Sequence, residues 1–296
     1  MSLTRRALAS LAALVPIGSA LRARAESTTV SIPMERGYAR GPYGLVHYRD
    51  TGKGKPLVLF HQAPMTSRQF ESVYPLFAAQ GFRAIGIDMP GFGGSDVTPF
   101  VPKIEDWAKV VPPVLDHLGI KQADMVGHHT GSCVATEVCL QFPSRARNLV
   151  IHAALLVTEE ERKARLARVE GGEKAFVYKE DGSHLTDSFN GRKRMYGADA
   201  DPKLITRYVI ESFTGSGPNW YGHNAAYVYN HTEALKKVKH RTQVMSNSGD
   251  MVNELTQRAK TLRPDMSYVE LPGGNVDIVD QSSQAWVDAI TKFLSA

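Results

Sequence analysis

A histidine lies at the centre of a short glycine-flanked segment at 127–131, Gly-His-His-Thr-Gly. The residues before it, 123–126, indicate a short buried strand, and the spacing after it, at 132–142, is helical. The two glycines permit a tight turn that would lift the side chain of His129 above the end of the strand. A neutral imidazole is available near pH 7. His129 could therefore attack an acyl carbon itself, or deprotonate a water or an acidic substrate C–H.

Strands and helices alternate on both sides of this turn. Strand-like segments occur at 28–32, 44–48, 56–60, 83–87, 123–126, 149–151, 242–246 and 267–271, and helix-like segments at 67–80, 106–118, 132–142, 253–262 and 284–294. This alternation predicts an α/β fold with a mostly parallel sheet that helices cover on both faces. Residues 155–235 are charged and helical without a strong strand signal. We therefore predict a helical cap at 155–235, inserted into a core domain of 26–154 and 236–296.

The first 25 residues have the composition of an export signal. Arg5 and Arg6 precede an apolar run from Ala7 to Leu21, and Ala-Arg-Ala at 23–25 is a small-x-small cleavage site. The run is shorter than the roughly 20 residues that a bilayer span needs. The paired arginines indicate the twin-arginine route. The mature protein is thus expected in the periplasm or outside the cell.

The basic charge balance comes largely from that signal segment. The chain has 35 Lys and Arg and 30 Asp and Glu, and residues 1–25 contain four Arg and no acidic residue. Removal of the segment leaves a net charge of +1, which gives no reason to expect a nucleic-acid partner or membrane association. The histidines lack metal-ligand spacing, although a zinc site of His128, His129 and His152 can be drawn. No metal and no cofactor are predicted.

The strand, turn and helix around His129 resemble the nucleophile elbow, G-x-S-x-G, of the α/β-hydrolase fold superfamily, with His129 in the place of the serine. Two other features carry the resemblance: His61-Gln62 after the third strand, similar to the family's His-Gly turn, and the loop Asp-Met-Pro-Gly-Phe-Gly-Gly-Ser-Asp at 88–96. The resemblance covers nearly the whole mature chain. It implies a doubly wound α/β-hydrolase sheet with an inserted cap.

The resemblance also implies an order of nucleophile, acid and histidine along the chain. Asp250, after the seventh strand, matches the acid position. Val276, in the segment 271–277, takes the place of the family's histidine. Because two members of the triad differ, we interpret them together as a relocated imidazole: His129 performs the chemistry and Asp250 orients its ring.

Other groups around this dyad are implied in the same way. The backbone N–H groups of Ala63 and Thr130 would form an oxyanion hole. A second set would line or support the pocket and does not rest on the resemblance alone; these residues are His61, Gln62, His128, His152, Val276 and Trp220. For His61 and His128 we favour support of the turns. His152, at the end of the sixth strand, could face the pocket, but we favour a satisfied core histidine. Trp220 is one of the aromatic residues of the cap, which either line the pocket or pack the cap onto the core.

We therefore expect a cofactor-independent hydrolase that acts on a small acyl, ester or ketone substrate, with His129 as nucleophile or general base. Two alternatives stay open. Without a second imidazole, the pocket could bind a ligand without turnover. It could also serve a lyase or isomerase that needs only a base and an oxyanion site. The substrate and the oligomeric state do not follow from the sequence.

Overall fold

The computed structural model describes residues 33–196 and 200–296. The predicted signal segment, 1–25, and the strand predicted at 28–32 lie outside the described residues. Within the described ranges, no helix is both long and apolar enough to cross a membrane.

A single eight-stranded sheet forms the centre of the fold, in the order β1-β2-β4-β3-β5-β6-β7-β8. Its strands are β1 Met34–Gly41, β2 Gly44–Thr51, β3 Lys55–Phe60, β4 Phe82–Ile87, β5 Ala123–His128, β6 Ala146–His152, β7 Thr242–Asn247 and β8 Ser267–Leu271. Strands β1 and β2 pair antiparallel, and the pairs from β4 to β8 are parallel. The predicted α/β class with a mostly parallel sheet is confirmed.

Helices flank this sheet. They are α1 Tyr74–Ala79, α2 Ile104–Ala108, α3 Val111–His117, α4 Thr130–Gln141, α5 Glu159–Arg168, α6 Ser183–Tyr196, α7 Pro202–Glu211, α8 Tyr221–Val228, α9 His231–Lys237, α10 Asn253–Gln257, α11 Ala259–Leu262, α12 Ile278–Gln281 and α13 Ser283–Ser295. Two buried apolar clusters lie against the sheet, one including Trp107 and the other Trp286. The central strands β3 and β5 are almost completely buried, as expected of parallel strands covered on both faces.

Two of the predicted helices are interrupted. The segment 67–80 forms a 3-10 turn at Ser67–Phe70 and then α1, because Pro75 lacks the N–H that a continuous helix would need and fits only a first turn. The segment 106–118 is divided into α2 and α3 for the same reason, since Pro112 and Pro113 lie in the first turn of α3. Strand β1 was not predicted, because its sequence, MERGYARG, does not alternate between apolar and polar residues.

Helices α5 to α9 lie between β6 and β7 in the sequence, and the described part of 155–235 contains no strand. Helix α5 begins with a capping box, in which Thr158 and Glu161 exchange side-chain-to-backbone hydrogen bonds. A π-helical turn, Val169–Glu173, follows α5 directly.

Candidate active site

His129 occupies the turn between β5 and α4 with φ 50° and ψ −118°, a conformation that side chains with a Cβ rarely adopt. The turn is possible because its two glycines allow close backbone contacts. A Cβ on Gly127 would lie 2.2 Å from the Gly131 oxygen, and one on Gly131 would lie 2.0 Å from the Phe60 oxygen. The His129 N–H donates to the His152 carbonyl at 2.9 Å. The backbone thus fixes the side chain beyond the carboxyl end of β5.

The ring of His129 is bound to Asp250, which follows β7. Nε2 of His129 lies 2.7 Å from Oδ2 of Asp250, and the Val252 N–H donates to Oδ1 of Asp250 at 2.9 Å. Burial raises the pKa of Asp250, but the His129 ring and the Val252 N–H outweigh it, and the pKa lies below its usual value. Since an ionised carboxylate only accepts, Nε2 of His129 donates, and in the neutral form of the ring Nδ1 carries the lone pair.

His129 lines a cavity of about 300 Å³. Ala63, Thr130 and Val276 line it as well. The N–H groups of Ala63 and Thr130 donate to no other described residue, so both remain available to a ligand oxygen. The structure therefore brings together His129, Asp250, Val276 and both residues of the implied oxyanion hole.

His61 and His128 are buried and hold neighbouring turns. Nε2 of His61 accepts from the Met89 N–H at 3.0 Å, and Nδ1 donates to the Gln62 carbonyl at 2.9 Å. Burial lowers the pKa of His61. Nδ1 of His128 lies 2.7 Å from Nε2 of Gln69, and burial, followed by the His129 and His152 rings, lowers the pKa of His128 well below its usual value. Neither residue lines the cavity.

His152 is a satisfied core histidine rather than a group facing the cavity. Nε1 of Trp286 donates to Nδ1 of His152 at 2.7 Å, and Nε2 of His152 lies 3.1 Å from Oδ1 of Asn247. Because indole only donates, these two contacts fix the tautomer with the proton on Nε2. Burial lowers the pKa of His152 to about 4, so the ring is neutral near pH 7.

Sequence analysis missed a buried polar cluster next to Val276. Nε2 of Gln62 donates to Oδ1 of Asp277 at 2.9 Å, and the guanidinium of Arg192 forms a two-pronged ion pair with the same carboxylate. Asp277 is fully buried. Its position beside Val276 was visible in the sequence, but its partner on α6, 85 positions earlier, was not.

Trp220 lies outside the cavity of His129. It lines a neighbouring cavity of about 460 Å³ together with Phe176, Tyr178 and Phe213. Its ring packs edge-on against Tyr221 and lies under the Lys174 ammonium, 4.4 Å from the ring centroid. The two cavities adjoin, since Pro64, Glu173 and His223 line both.

Among residues 33–196 and 200–296, no group of three or more His, Cys, Asp or Glu side chains is arranged to hold a metal ion. Cys133 and Cys139 are both buried and unpaired as disulfides.

The family model described as the alpha/beta hydrolase fold matches residues 55–272, which include the His129 turn, Asp250 and all strands from β3 to β8. The chain belongs to the alpha/beta hydrolase fold family. A solved structure of similar fold is the enol-lactonase from Burkholderia xenovorans, with a TM-score of 0.73 at 17% identity, over 88% of this chain and 100% of that one.

Sequence relatives within the alpha/beta hydrolase fold family carry several different names. A 2-hydroxy-6-oxononadienedioate/2-hydroxy-6-oxononatrienedioate hydrolase from Paraburkholderia phymatum is 39% identical over 111 residues, which is 36% of this chain and 38% of that protein. A non-heme haloperoxidase from Rhodococcus erythropolis is 26% identical over 226 residues, or 73% of this chain and 82% of that protein. The chain therefore spans little more than a third of the dienedioate hydrolase it matches, and its relatives include hydrolases of small molecules.

Proposed function

We propose that this protein is an exported, cofactor-independent enzyme that hydrolyses a small acyl, ester or ketone substrate, with the imidazole of His129 as its catalytic group. The observation that carries the proposal is the 2.7 Å hydrogen bond between Nε2 of His129 and Asp250, in a turn where the side chain borders a cavity. The bond leaves Nδ1 of His129 with a lone pair and no described hydrogen-bond partner. A carboxylate in this position stabilises the imidazolium that forms when the ring accepts a proton.

In the proposed reaction His129 acts as a general base. Nδ1 takes a proton from a water molecule while the water oxygen attacks the substrate carbonyl carbon, and the carbonyl oxygen becomes an oxyanion. The N–H groups of Ala63 and Thr130 donate to that oxyanion. As the tetrahedral intermediate collapses, the bond to the leaving group breaks and the imidazolium returns its proton to that group. This sequence uses one imidazole and needs no serine.

A second route uses His129 as a nucleophile. Nδ1 attacks the carbonyl carbon and the leaving group departs as an anion, which leaves an acylimidazolium on His129. Water then hydrolyses that acyl group to the free acid, and the proton released neutralises the leaving group. Rapid acid quenching during turnover, followed by mass spectrometry of the intact protein, distinguishes the routes, because only the second adds the acyl mass to His129.

The names of the relatives support hydrolysis as the reaction class, since one is a hydrolase of an oxo-dienedioate. We further propose that residues 155–235 act as a cap over the cavity, and that residues 1–25 direct export and are removed. N-terminal sequencing of the protein recovered from the periplasm tests the export proposal.

The central experiment compares the wild type, His129→Ala and Asp250→Asn on a panel of small aryl esters, thioesters and β-diketones. We expect His129→Ala to lower kcat/KM by about 10²- to 10⁴-fold on every substrate that the wild type turns over. Asp250→Asn should lower it strongly as well, because a neutral amide does not stabilise the imidazolium.

His240→Ala is the matched control, since that ring lies away from the cavity and contacts the Pro143 carbonyl. It should keep wild-type activity. Unchanged turnover in His129→Ala would show that the proposed mechanism is wrong. Saturable ligand binding by the wild type with no product would instead identify a binding protein.

A further inference from the structure

Three acidic side chains at the His129 cavity already have a partner. Arg192 pairs with Asp277, and Glu173 lies 2.7 Å from Nδ1 of His223. Asp250 is bound to His129 itself. Asp277 is therefore paired with a permanent cation, and Asp250 and Glu173 are each hydrogen-bonded to an imidazole.

Two further cations line the same cavity, Arg165 and Arg168. They are three residues apart on α5, which places them on one face of the helix. Within the described ranges, neither guanidinium has a carboxylate within ion-pair distance or a hydrogen-bond acceptor. Arg162, one turn earlier on the same face, is different, because it pairs with Glu159.

The guanidinium of Arg165 is partly positioned without an anion. Its Cζ lies 5.5 Å from the ring centroid of Tyr227, which in turn stacks on His223 at 5.7 Å and 10°. A cation over an aromatic face keeps its N–H donors free at the edge. The negative end of the α5 dipole also favours basic residues in this last turn, but neither arginine hydrogen-bonds to its carbonyls.

We propose that Arg165 and Arg168 form an anion subsite in this cavity and that the substrate carries a carboxylate, held by these arginines while its carbonyl group reaches His129. The planar fork of a guanidinium matches the two oxygens of a carboxylate and binds it more strongly than it binds a neutral group. The position of the reacting carbonyl at His129 rests on the proposed function. The anion subsite is inferred from Arg165 and Arg168 and does not depend on that function.

The first experiment measures binding without turnover, in His129→Ala protein. Titration calorimetry with glutarate should give saturable binding, and glutaramide, its neutral analogue, should bind at least about tenfold more weakly. Arg165→Gln and Arg168→Gln should each weaken glutarate binding, and Arg165→Lys should restore part of it. Lys163→Gln removes the same charge from an exposed position of α5 and should bind glutarate as the parent does.

The second experiment measures turnover of monophenyl glutarate and phenyl pentanoate by otherwise wild-type protein. Arg165→Gln should raise KM for the charged ester about tenfold or more, with little change in kcat and little effect on the neutral ester. Binding of glutarate with no turnover of either ester would support the subsite and contradict the proposed hydrolysis. Equal binding of glutarate and glutaramide would overturn the subsite, and inorganic phosphate binding more tightly than glutarate would overturn the assignment to a carboxylate.

Discussion

Arg192 on α6 forms a two-pronged ion pair with Asp277, the residue immediately after Val276. In the alpha/beta hydrolase resemblance, this segment would carry the catalytic histidine. Here it carries a buried carboxylate that is bound to a helix between β6 and β7 and to Gln62 from the cavity wall. Arg192 also lies over the Tyr208 ring, 4.2 Å from its centroid, which fixes the guanidinium further. The segment in which the resemblance would place a histidine is thus an attachment point for α6.

Removing one partner of the Arg192–Asp277 pair should destabilise the protein strongly, whereas replacing both partners with apolar residues should destabilise it much less. Arg192→Met leaves the fully buried Asp277 without its cation, and we expect the free energy of unfolding to fall by about 3–5 kcal/mol. The double variant Arg192→Met/Asp277→Leu should recover much of that loss, because no buried charge remains unpaired. Urea unfolding followed by circular dichroism measures both. Lys236→Gln, in an exposed pair, should change stability little, and a double variant no more stable than Arg192→Met would contradict this account.

His129→Ser should not produce a serine hydrolase. A serine hydroxyl needs a base to become a nucleophile, and Val276 supplies none. We expect the variant to hydrolyse no ester above background and to remain unlabelled at residue 129 by a fluorophosphonate probe. Mass spectrometry of the labelled protein gives the readout. Stoichiometric labelling at residue 129 would show that another group at the cavity acts as the base.

Glu211 should make stability depend on pH. The side chain is buried, and Thr66 donates to it at 3.2 Å, while Arg68 and Arg207 lie 3.8 Å and 3.5 Å away. Burial raises its pKa from 4.5 to about 7, more than the two arginines lower it. The folded state therefore binds a proton that the unfolded state has released, so this contribution to stability is present below pH 4.5 and is lost as the pH rises to about 7.

Glu211→Gln isolates that effect, because glutamine mimics the protonated acid at every pH. Near pH 4.5 the variant and the wild type should have similar stability. By pH 8 the variant should be more stable by up to about 3 kcal/mol. Thermal unfolding across this range measures the difference. His152, whose pKa is lowered to about 4, makes both proteins less stable at acid pH, and this shared effect cancels in the comparison. A difference independent of pH would contradict the assignment to Glu211.

Gly222, on α8, is in close contact with Ala63, whose N–H we propose binds the oxyanion. A Cβ on Gly222 would lie 2.0 Å from Cβ of Ala63 and 3.3 Å from Cζ of Phe92. We expect Gly222→Ala to displace the Ala63 turn and to lower kcat about tenfold or more, since small misplacements of catalytic groups have large effects on rate. Gly171→Ala is the matched control, because its Cβ would meet nothing within 4 Å. Equal kcat in the two variants would show that Ala63 is not constrained by α8.

Much of the fold could be predicted because its signals are local. The apolar runs at β3, β4 and β5 and the glycines on either side of His129 are readable within a few residues of one another. Ungapped comparison with one family also sufficed to select Asp250.

Long-range pairings could not be predicted in the same way. Nothing in the sequence near Asp277 identifies Arg192 as its partner, because 155–235 contains several other arginines in similarly charged stretches. Trp220 was selected for its type, but the turn of α8 and the contact with Lys174 decide which cavity it lines. The sequence of α5 indicates only a charged helix. The tertiary structure distinguishes Arg162, which forms an ion pair with Glu159, from Arg165 and Arg168, which have no carboxylate partner among the described residues.

The hydrogen bond from Trp286 to His152 extends the support of the active site into the last helix of the chain. The carbonyl of His152 accepts the N–H of His129, so His152 contacts both the indole on α13 and the strained turn. A shortened protein that ended before α13 would keep every side chain that lines the cavity and still lose the order of its elbow. Engineering of this scaffold, whether by truncation, circular permutation or fusion, should therefore keep α13 and its hydrogen bond to His152 at the end of β6.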